Sequence, residues 1–328
     1  MMFPTPYDTW FPDAPFDASY GHTLDTLRAV EPVPTPDGFA EKWSGWRQQA
    51  DDTDAAPAVL SSDTLHGRRV SVIEHAGVGG IRLRSWLVEP ESGQARIGVV
   101  HGHGYGGRDA IDLARIPADA AAIFPVARGL PTLNRGVGAP ELVERHVLSG
   151  IDDPDRYMLG LCARDLWLAA DALVELTGLG PLYYVGESFG GGIGALALPW
   201  DDRFVGATLI VPSFGQYDER LAVSCLGSGE VVRRYIARRP EARDVLRWFD
   251  ASSAIGFANV PVRVEAALWD TYVPPQGQFA VANGARMLEL AVLPAGHADY
   301  PGSDAVTADA VRGGLAHLER AVTAAGIR

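Results

Sequence analysis

Three observations in the sequence predict an α/β fold with a mostly parallel central sheet flanked by helices. Six short runs are apolar on both faces, as strands buried inside a parallel sheet are: Ile97–Val100, Ala121–Val126, Leu182–Val185, Ala207–Val211, Val262–Leu268 and Met287–Leu293. Most are separated by helix-length segments. The clearest of these segments, Arg156 to Leu176, places Leu159, Cys162, Leu166, Ala169, Leu173 and Leu176 three or four apart, opposite Arg164, Asp171 and Glu175.

The remaining elements follow in chain order. The first sixty residues are rich in Pro, Asp and Trp without sustained periodicity, which predicts an irregular arm with short helices over Leu24–Val30 and Phe39–Gln49. Val70, Val72 and Ile73, then Ile81, Leu83, Trp86 and Val88, flank a turn at Gly77–Gly80 and predict an antiparallel pair at one sheet edge. Gly178 and Gly180 end the long helix, and Pro181 opens the next strand. Ala305 to Ala325 predicts a closing helix. With neither an internal repeat nor a linker, the expected layout is an arm over 1–65 packed on a single domain over 66–328.

Composition narrows the function. At 328 residues, 47% hydrophobic and 21% charged, the chain is long enough for one large core and unlike a disordered or fibrous sequence. Lys and Arg number 28 against 41 Asp and Glu, so 28 − 41 = −13, and no nucleic-acid partner is expected of such an acidic chain. The densest basic run, Arg233, Arg234, Arg238, Arg239, Arg243 and Arg247, reads as a solvated helix face. Cys162 and Cys225 are too few for a disulfide framework or a four-ligand zinc site. Met1 to Tyr20, with Pro4, Pro6, Pro12 and Pro15, lacks a basic n-region and an apolar h-region, and no apolar run approaches the roughly 18–20 residues of a membrane span. The expectation is a cytoplasmic protein with no membrane partner.

The chemistry is concentrated in Tyr183-Tyr184-Val185-Gly186-Glu187-Ser188-Phe189-Gly190-Gly191. An apolar strand runs through Gly-x-Ser-x-Gly into a helix, the context of a nucleophile elbow. Gly186 and Gly190 stand where a tight strand-to-helix turn leaves no room for side chains, and the following helix N-terminus faces developing negative charge. A serine hydroxyl needs an imidazole to take its proton, and the imidazole needs a carboxylate to orient it. Asp270 follows the run Val262–Leu268, and His297 follows Met287–Leu293, each at a strand end and in the order nucleophile, acid, histidine that α/β-hydrolases use. Asp218 is the alternative acid. His22, His66, His75, His146 and His317 do not follow the serine at a strand end. The glycine loop His101-Gly102-His103-Gly104-Tyr105-Gly106-Gly107 follows a strand as well, and the backbone N–H groups of Tyr105 and Phe189 are the expected oxyanion donors. His101-x-His103 lacks further residues to complete a metal site, so a loop-bracing histidine is expected, with no metal and no cofactor.

These residues resemble the acetyl xylan esterase and cephalosporin C deacetylase family, carbohydrate esterase family seven, from about Phe39 to the C-terminus. The resemblance is carried by Gly186, Ser188, Gly190 and Gly191, by Asp270 ahead of Pro274 and Pro275, and by Gly150-Ile151-Asp152-Asp153-Pro154-Asp155-Arg156-Tyr157. It implies that Arg128 and Gly129, the matched half of an Arg-Gly-Gln-Gly motif, support the active-site wall, and that the protein forms a ring-like homo-oligomer. Phe189 stands for the family's Gln, Leu130-Pro131 for Gln-Gly, and Ala298 for a Glu. The Phe189 ring is expected to add an apolar wall beside the nucleophile and to move preference away from acetylated sugars.

The function expected is a serine esterase acting on a small-molecule, short-chain acyl ester. Rivals on the same scaffold are a thioesterase, a dienelactone-type hydrolase or a peptidase, and a rival of another class is a binding protein without turnover. Ser213 to Tyr235 is the candidate cap over the site, and Trp10, Trp43, Trp46 and Trp86 are candidates for stacking on sugar faces or for packing.

Overall fold

The computed structural model describes residues 7–91 and 94–327. Nine strands form one sheet in the order β1-β2-β3-β5-β4-β6-β7-β8-β9. Their spans are β1 Ala58–Leu65, β2 Arg68–Gly77, β3 Ile81–Pro90, β4 Ile97–Gly102, β5 Ala120–Pro125, β6 Leu182–Glu187, β7 Phe204–Ile210, β8 Val262–Ala267 and β9 Leu288–Leu293. The first three pair antiparallel with their neighbours, and β4 to β9 run parallel. The six apolar runs are thus the six parallel strands, each within about three residues of its expected limits. β4, β5 and β8 are buried along their whole length, as strands covered on both faces must be.

β1 is the element that the sequence reading missed, having assigned these residues to the arm. All eight of its residues are exposed, so no burial pattern marks it, and it exists through its ladder to β2 and a 2.7 Å bond between the Ser62 and Ser71 hydroxyls. The helices Leu24–Arg28, Phe39–Asp51, Met158–Thr177 and Ser303–Ala324 lie close to where the sequence predicts them. The basic run departs from its single-helix reading. It spreads over the helix Gly227–Ile236 and short turns beyond it, with Arg233 and Arg234 paired to Glu230, and Arg243 to Asp218.

Helices cover both faces of the sheet. On one, Met158–Thr177 and Phe189–Ala197 pack against the parallel strands; on the other, Leu318, Ala321 and Val322 of the closing helix meet Val99, Phe124 and Tyr183. The arm helix Phe39–Asp51 joins the first face through Trp43, which is wholly buried. Its ring meets Trp46 edge-on at 5.0 Å, stacks 6.1 Å from Trp200, and donates its indole N–H to the Trp248 carbonyl at 3.1 Å. Trp43 and Trp46 are therefore packing residues, with no face left for a sugar. Truncation of Trp43 to Ala opens a large void under the arm, and urea denaturation is expected to show a loss of about 3–5 kcal/mol.

Candidate active site

The parallel strands deliver their C-terminal ends to one edge of the sheet, where open α/β sheets bind ligands. Gly102 of β4 pairs with Gly186 of β6, Glu187 of β6 with Ile210 of β7, and Ala267 of β8 with Leu293 of β9, so the loops that follow are neighbours. Ser188 stands between β6 and the helix Phe189–Ala197 at φ +51°, in the left-handed region that favours glycine. Its N–H donates to the Ile210 carbonyl at 2.8 Å, and its own carbonyl accepts from Gly192 and Ser213, both at 3.0 Å. Those three bonds hold the strained residue in place.

Close approach explains the flanking glycines. A Cβ at Gly190 would lie 2.7 Å from the Gly102 carbonyl carbon and 2.9 Å from the His103 nitrogen, and one at Gly186 would lie 2.6 Å from the Gly190 backbone. The Gly190 N–H also donates to the His103 carbonyl at 2.9 Å, so the serine turn and the glycine loop are locked together. Among the described residues, no recorded hydrogen bond uses the N–H of Phe189 or Tyr105.

Ser188, His297 and Asp270 come together although they are 109 and 27 residues apart. His297 Nδ1 lies 2.7 Å from Asp270 Oδ2, and Nε2 lies 2.9 Å from Ser188 Oγ. A carboxylate only accepts, so Nδ1 carries the proton and Nε2 is free to accept from the serine hydroxyl. Ser188 is 7% exposed, and the His297 side chain keeps 20% of its surface open. Burial works against a charge on His297, but the hydrogen bond and charge of Asp270, with Glu187 behind them, outweigh it and hold the ring above its ordinary 6.5.

Asp270 is wholly buried and saturated with donors. Oδ1 accepts from the N–H groups of Tyr272 at 2.9 Å and Val273 at 3.0 Å, while Oδ2 accepts from His297 and from Gln278 Nε2 at 2.9 Å. A Cβ at Gly296 would meet Asp270 Oδ2 at 2.4 Å, which explains the glycine ahead of His297. The arm reaches this point too. The Asp270 N–H donates to the Ala18 carbonyl at 3.1 Å, the Tyr7 hydroxyl to the Pro294 carbonyl at 2.7 Å, and Phe11 stacks on Trp269 with centroids 3.9 Å apart. Trp10 is engaged in the same cluster, stacked on Tyr300 at 5.0 Å.

The family model for acetyl xylan esterase matches residues 21–303. The chain belongs to the acetyl xylan esterase family. It is therefore a carboxylic-ester hydrolase, and the match begins before Phe39, where the sequence resemblance started, while leaving Tyr7–Tyr20 outside. The acetyl xylan esterase from Paenibacillus sp. R4 superposes with a TM-score of 0.77 at 18% identity, over 89% of this chain and 99% of that one. Acetyl xylan esterase 1 from Thermoanaerobacterium sp. JW/SL YS485 gives 0.76 at 19%, over 90% and 98%. Est1E from Butyrivibrio proteoclasticus, solved with ferulic acid, gives 0.55 at 14%, over 75% and 97%. No curated protein sequence matches the chain.

The structure also places the other residues of the esterase that the sequence singled out. Phe189 does not wall the site: its ring is fully buried against Tyr105 at 4.6 Å, Phe214 at 5.9 Å and His103 at 6.0 Å. The turn that presents Ser188 sends the next side chain down into the core, which overturns the expected apolar wall beside the nucleophile and leaves the expected shift in preference without its structural basis. Asp218 lies away from the trio, bonded to Arg243 Nε at 3.1 Å. His103 bridges the Gly104 carbonyl at 2.6 Å and the Ala127 N–H at 3.0 Å, and His101 Nδ1 accepts from Arg108 at 2.8 Å. Among the described residues, no group of three or more His, Cys, Asp or Glu is arranged to hold a metal.

Arg128 is buried and grips Asp165 with two 2.7 Å bonds, while its carbonyl accepts from His146 Nε2 at 2.8 Å. Burial pushes His146 down to about 4, and its neutral ring accepts the Tyr105 hydroxyl at 2.6 Å through Nδ1. Arg128 therefore reaches the glycine loop through His146, which the sequence reading had set aside. Gly129, at φ +77°, has no room for a Cβ beside Ala139 and Pro140. The segment after β7 forms the helices Tyr217–Arg220 and Gly227–Ile236, tied to the acid loop by the Leu226 N–H on the Thr271 carbonyl at 2.7 Å. Gln278 gave no sequence signal at all.

The raised His297 sets the expected pH dependence. With His297 as the base of the reaction, the imidazole has to be neutral to take a proton, and kcat/KM is expected to rise with pH through a value above the ordinary 6.5. Glu187→Gln removes one charge that favours the imidazolium. In a pH–rate series on an aryl acetate, the acid limb of this variant is expected at lower pH than that of wild type.

Proposed function

We propose that Ser188 is the nucleophile, His297 the general base and then acid, and Asp270 the orienting carboxylate in hydrolysis of short-chain, acetyl-type esters, with acetylated sugars and cephalosporin-like acetates as the substrate class. The observation that carries the reading is the hydrogen-bonded chain from Ser188 Oγ through both His297 nitrogens to Asp270. Ser188 Oγ attacks the acyl carbon as its proton passes to His297 Nε2. The carbonyl oxygen becomes an oxyanion, received by the N–H of Phe189 at the start of the helix Phe189–Ala197 and by the N–H of Tyr105 in the glycine loop after β4. His297 returns the proton to the leaving alcohol as the ester C–O bond breaks, which leaves an acyl-serine. Water then gives a proton to His297 and attacks the acyl carbon; as the bond to Ser188 Oγ breaks, His297 passes that proton to Oγ, which restores the hydroxyl and the neutral ring and releases the carboxylic acid.

Besides water, every group that these steps use is a side chain or backbone N–H of the chain itself. The homo-oligomer implied by the family resemblance belongs to the same proposal, with light scattering as its check. So does a cytoplasmic location, which the two buried, unbridged cysteines fit.

Replacing Ser188 with Ala is expected to lower kcat for aryl acetate hydrolysis by at least about 10⁴-fold, since the residual rate would come from binding and the oxyanion donors alone. Rates equal to wild type would remove Ser188 from the reaction. A series from acetate to octanoate esters, with a thioester and an amide of the same acyl group, is expected to give its highest kcat/KM on the acetate.

A further inference from the structure

Gln278 occupies the helix Pro275–Gly284, one turn after the acid loop, and is wholly buried. Its amide makes three hydrogen bonds. Oε1 accepts from the N–H of Ala267, the last residue of β8, at 2.8 Å; Nε2 donates to the Val273 carbonyl at 2.7 Å and to Asp270 Oδ2 at 2.9 Å. One side chain thus joins the end of the strand before Asp270, the loop after it, and the carboxylate itself.

The oxygen it holds is the one that faces His297. Asp270 Oδ1 is anchored by the backbone N–H groups of Tyr272 and Val273, which leaves the carboxylate free to pivot about Oδ1 unless something fixes Oδ2. The His297 bond cannot do so alone, because the ring sits on a solvent-facing loop and must itself be oriented. Gln278 supplies the fixed donor from a packed helix. A buried carboxylate also needs partners for its lone pairs, and the amide satisfies one without adding charge.

We infer that Gln278 is a positioning residue, holding Asp270 Oδ2 on the line to His297 Nδ1 so that the imidazole presents Nε2 to Ser188; this rests on the roles given to those three residues above. Gln278 does not touch substrate, so its effect falls on turnover and leaves KM unchanged. The charged groups acting on His297 are Asp270 and, from the nucleophile turn, Glu187, with the Tyr272 ring beside it at 5.7 Å. Only the first depends on Gln278.

The test compares wild type, Gln278→Met and Gln278→Glu in the full-length chain. Gln278→Met keeps the length and apolar volume but no donor, and its kcat on aryl acetate is expected to fall about 10–100-fold, the worth of a hydrogen bond to a charged group, with KM unchanged. A pivoted carboxylate supports the imidazolium less, so the acid limb of the pH profile moves to lower pH. The downfield proton resonance of His297 Nδ1–H moves upfield for the same reason. Gln278→Glu keeps the acceptor for Ala267 and supplies a donor to Oδ2 while its carboxyl is protonated, so it retains more activity than Gln278→Met at low pH and loses that advantage as pH rises. Wild-type kcat in Gln278→Met, or a lower kcat with the acid limb and the Nδ1–H resonance unmoved, overturns the inference. The Ser188→Ala variant, run beside these, separates the two claims: if it is inactive while Gln278→Met behaves as wild type, only the role of Gln278 fails.

Discussion

A carboxylate sealed from water must be matched by donors on every side, and the 2.7 Å contact between Asp270 and His297 can exist only because the fold meets that demand. Two main-chain N–H groups, one amide and one imidazole share its two oxygens. The amide comes from the helix after the acid loop and the imidazole from the loop after β9. The arm adds a backbone acceptor for the Asp270 N–H from Ala18. Each contribution comes from a different element, so the geometry around this carboxylate is a property of the assembled domain.

The serine side is governed by contact distances. Gly102, Gly186 and Gly190 let two loops approach closer than any side chain allows, and the Gly190–His103 bond fixes their separation. Behind the glycine loop stands a relay of neutral groups, from the Tyr105 hydroxyl through His146 to the Arg128 carbonyl, with the Arg128–Asp165 pair beneath it. The loop that carries the Tyr105 N–H is thus braced through residues 23 and 41 positions further along the chain. Both halves converge at the carboxyl edge of the parallel strands, where strand order makes their loops neighbours.

Much of this was legible in the sequence because strand ends announce themselves. Ser188, Asp270 and His297 each follow an apolar run, and the order of the three restricts the fold that can unite them. What stayed hidden has physical reasons. β1 shows no burial contrast, since all its residues face solvent and only its main chain is paired. Gln278 carries no local mark, because a glutamine in a helix reads the same whether it faces water or a buried carboxylate. The direction of the Phe189 ring follows from the elbow's backbone angles, which a motif does not encode. Arg128–Asp165 and Tyr105–His146 join residues 37 and 41 positions apart through neither periodicity nor motif.

The central claim is that an ester's acyl group passes through Ser188. It is tested most directly by mixing the enzyme with an aryl acetate, quenching with acid within the first turnovers, and mapping the acetyl adduct by peptide mass spectrometry. The account predicts an adduct on the peptide containing Ser188, accumulating in wild type and absent from Ser188→Ala. An adduct on another residue in an active sample, with Ser188 unmodified throughout, would contradict it.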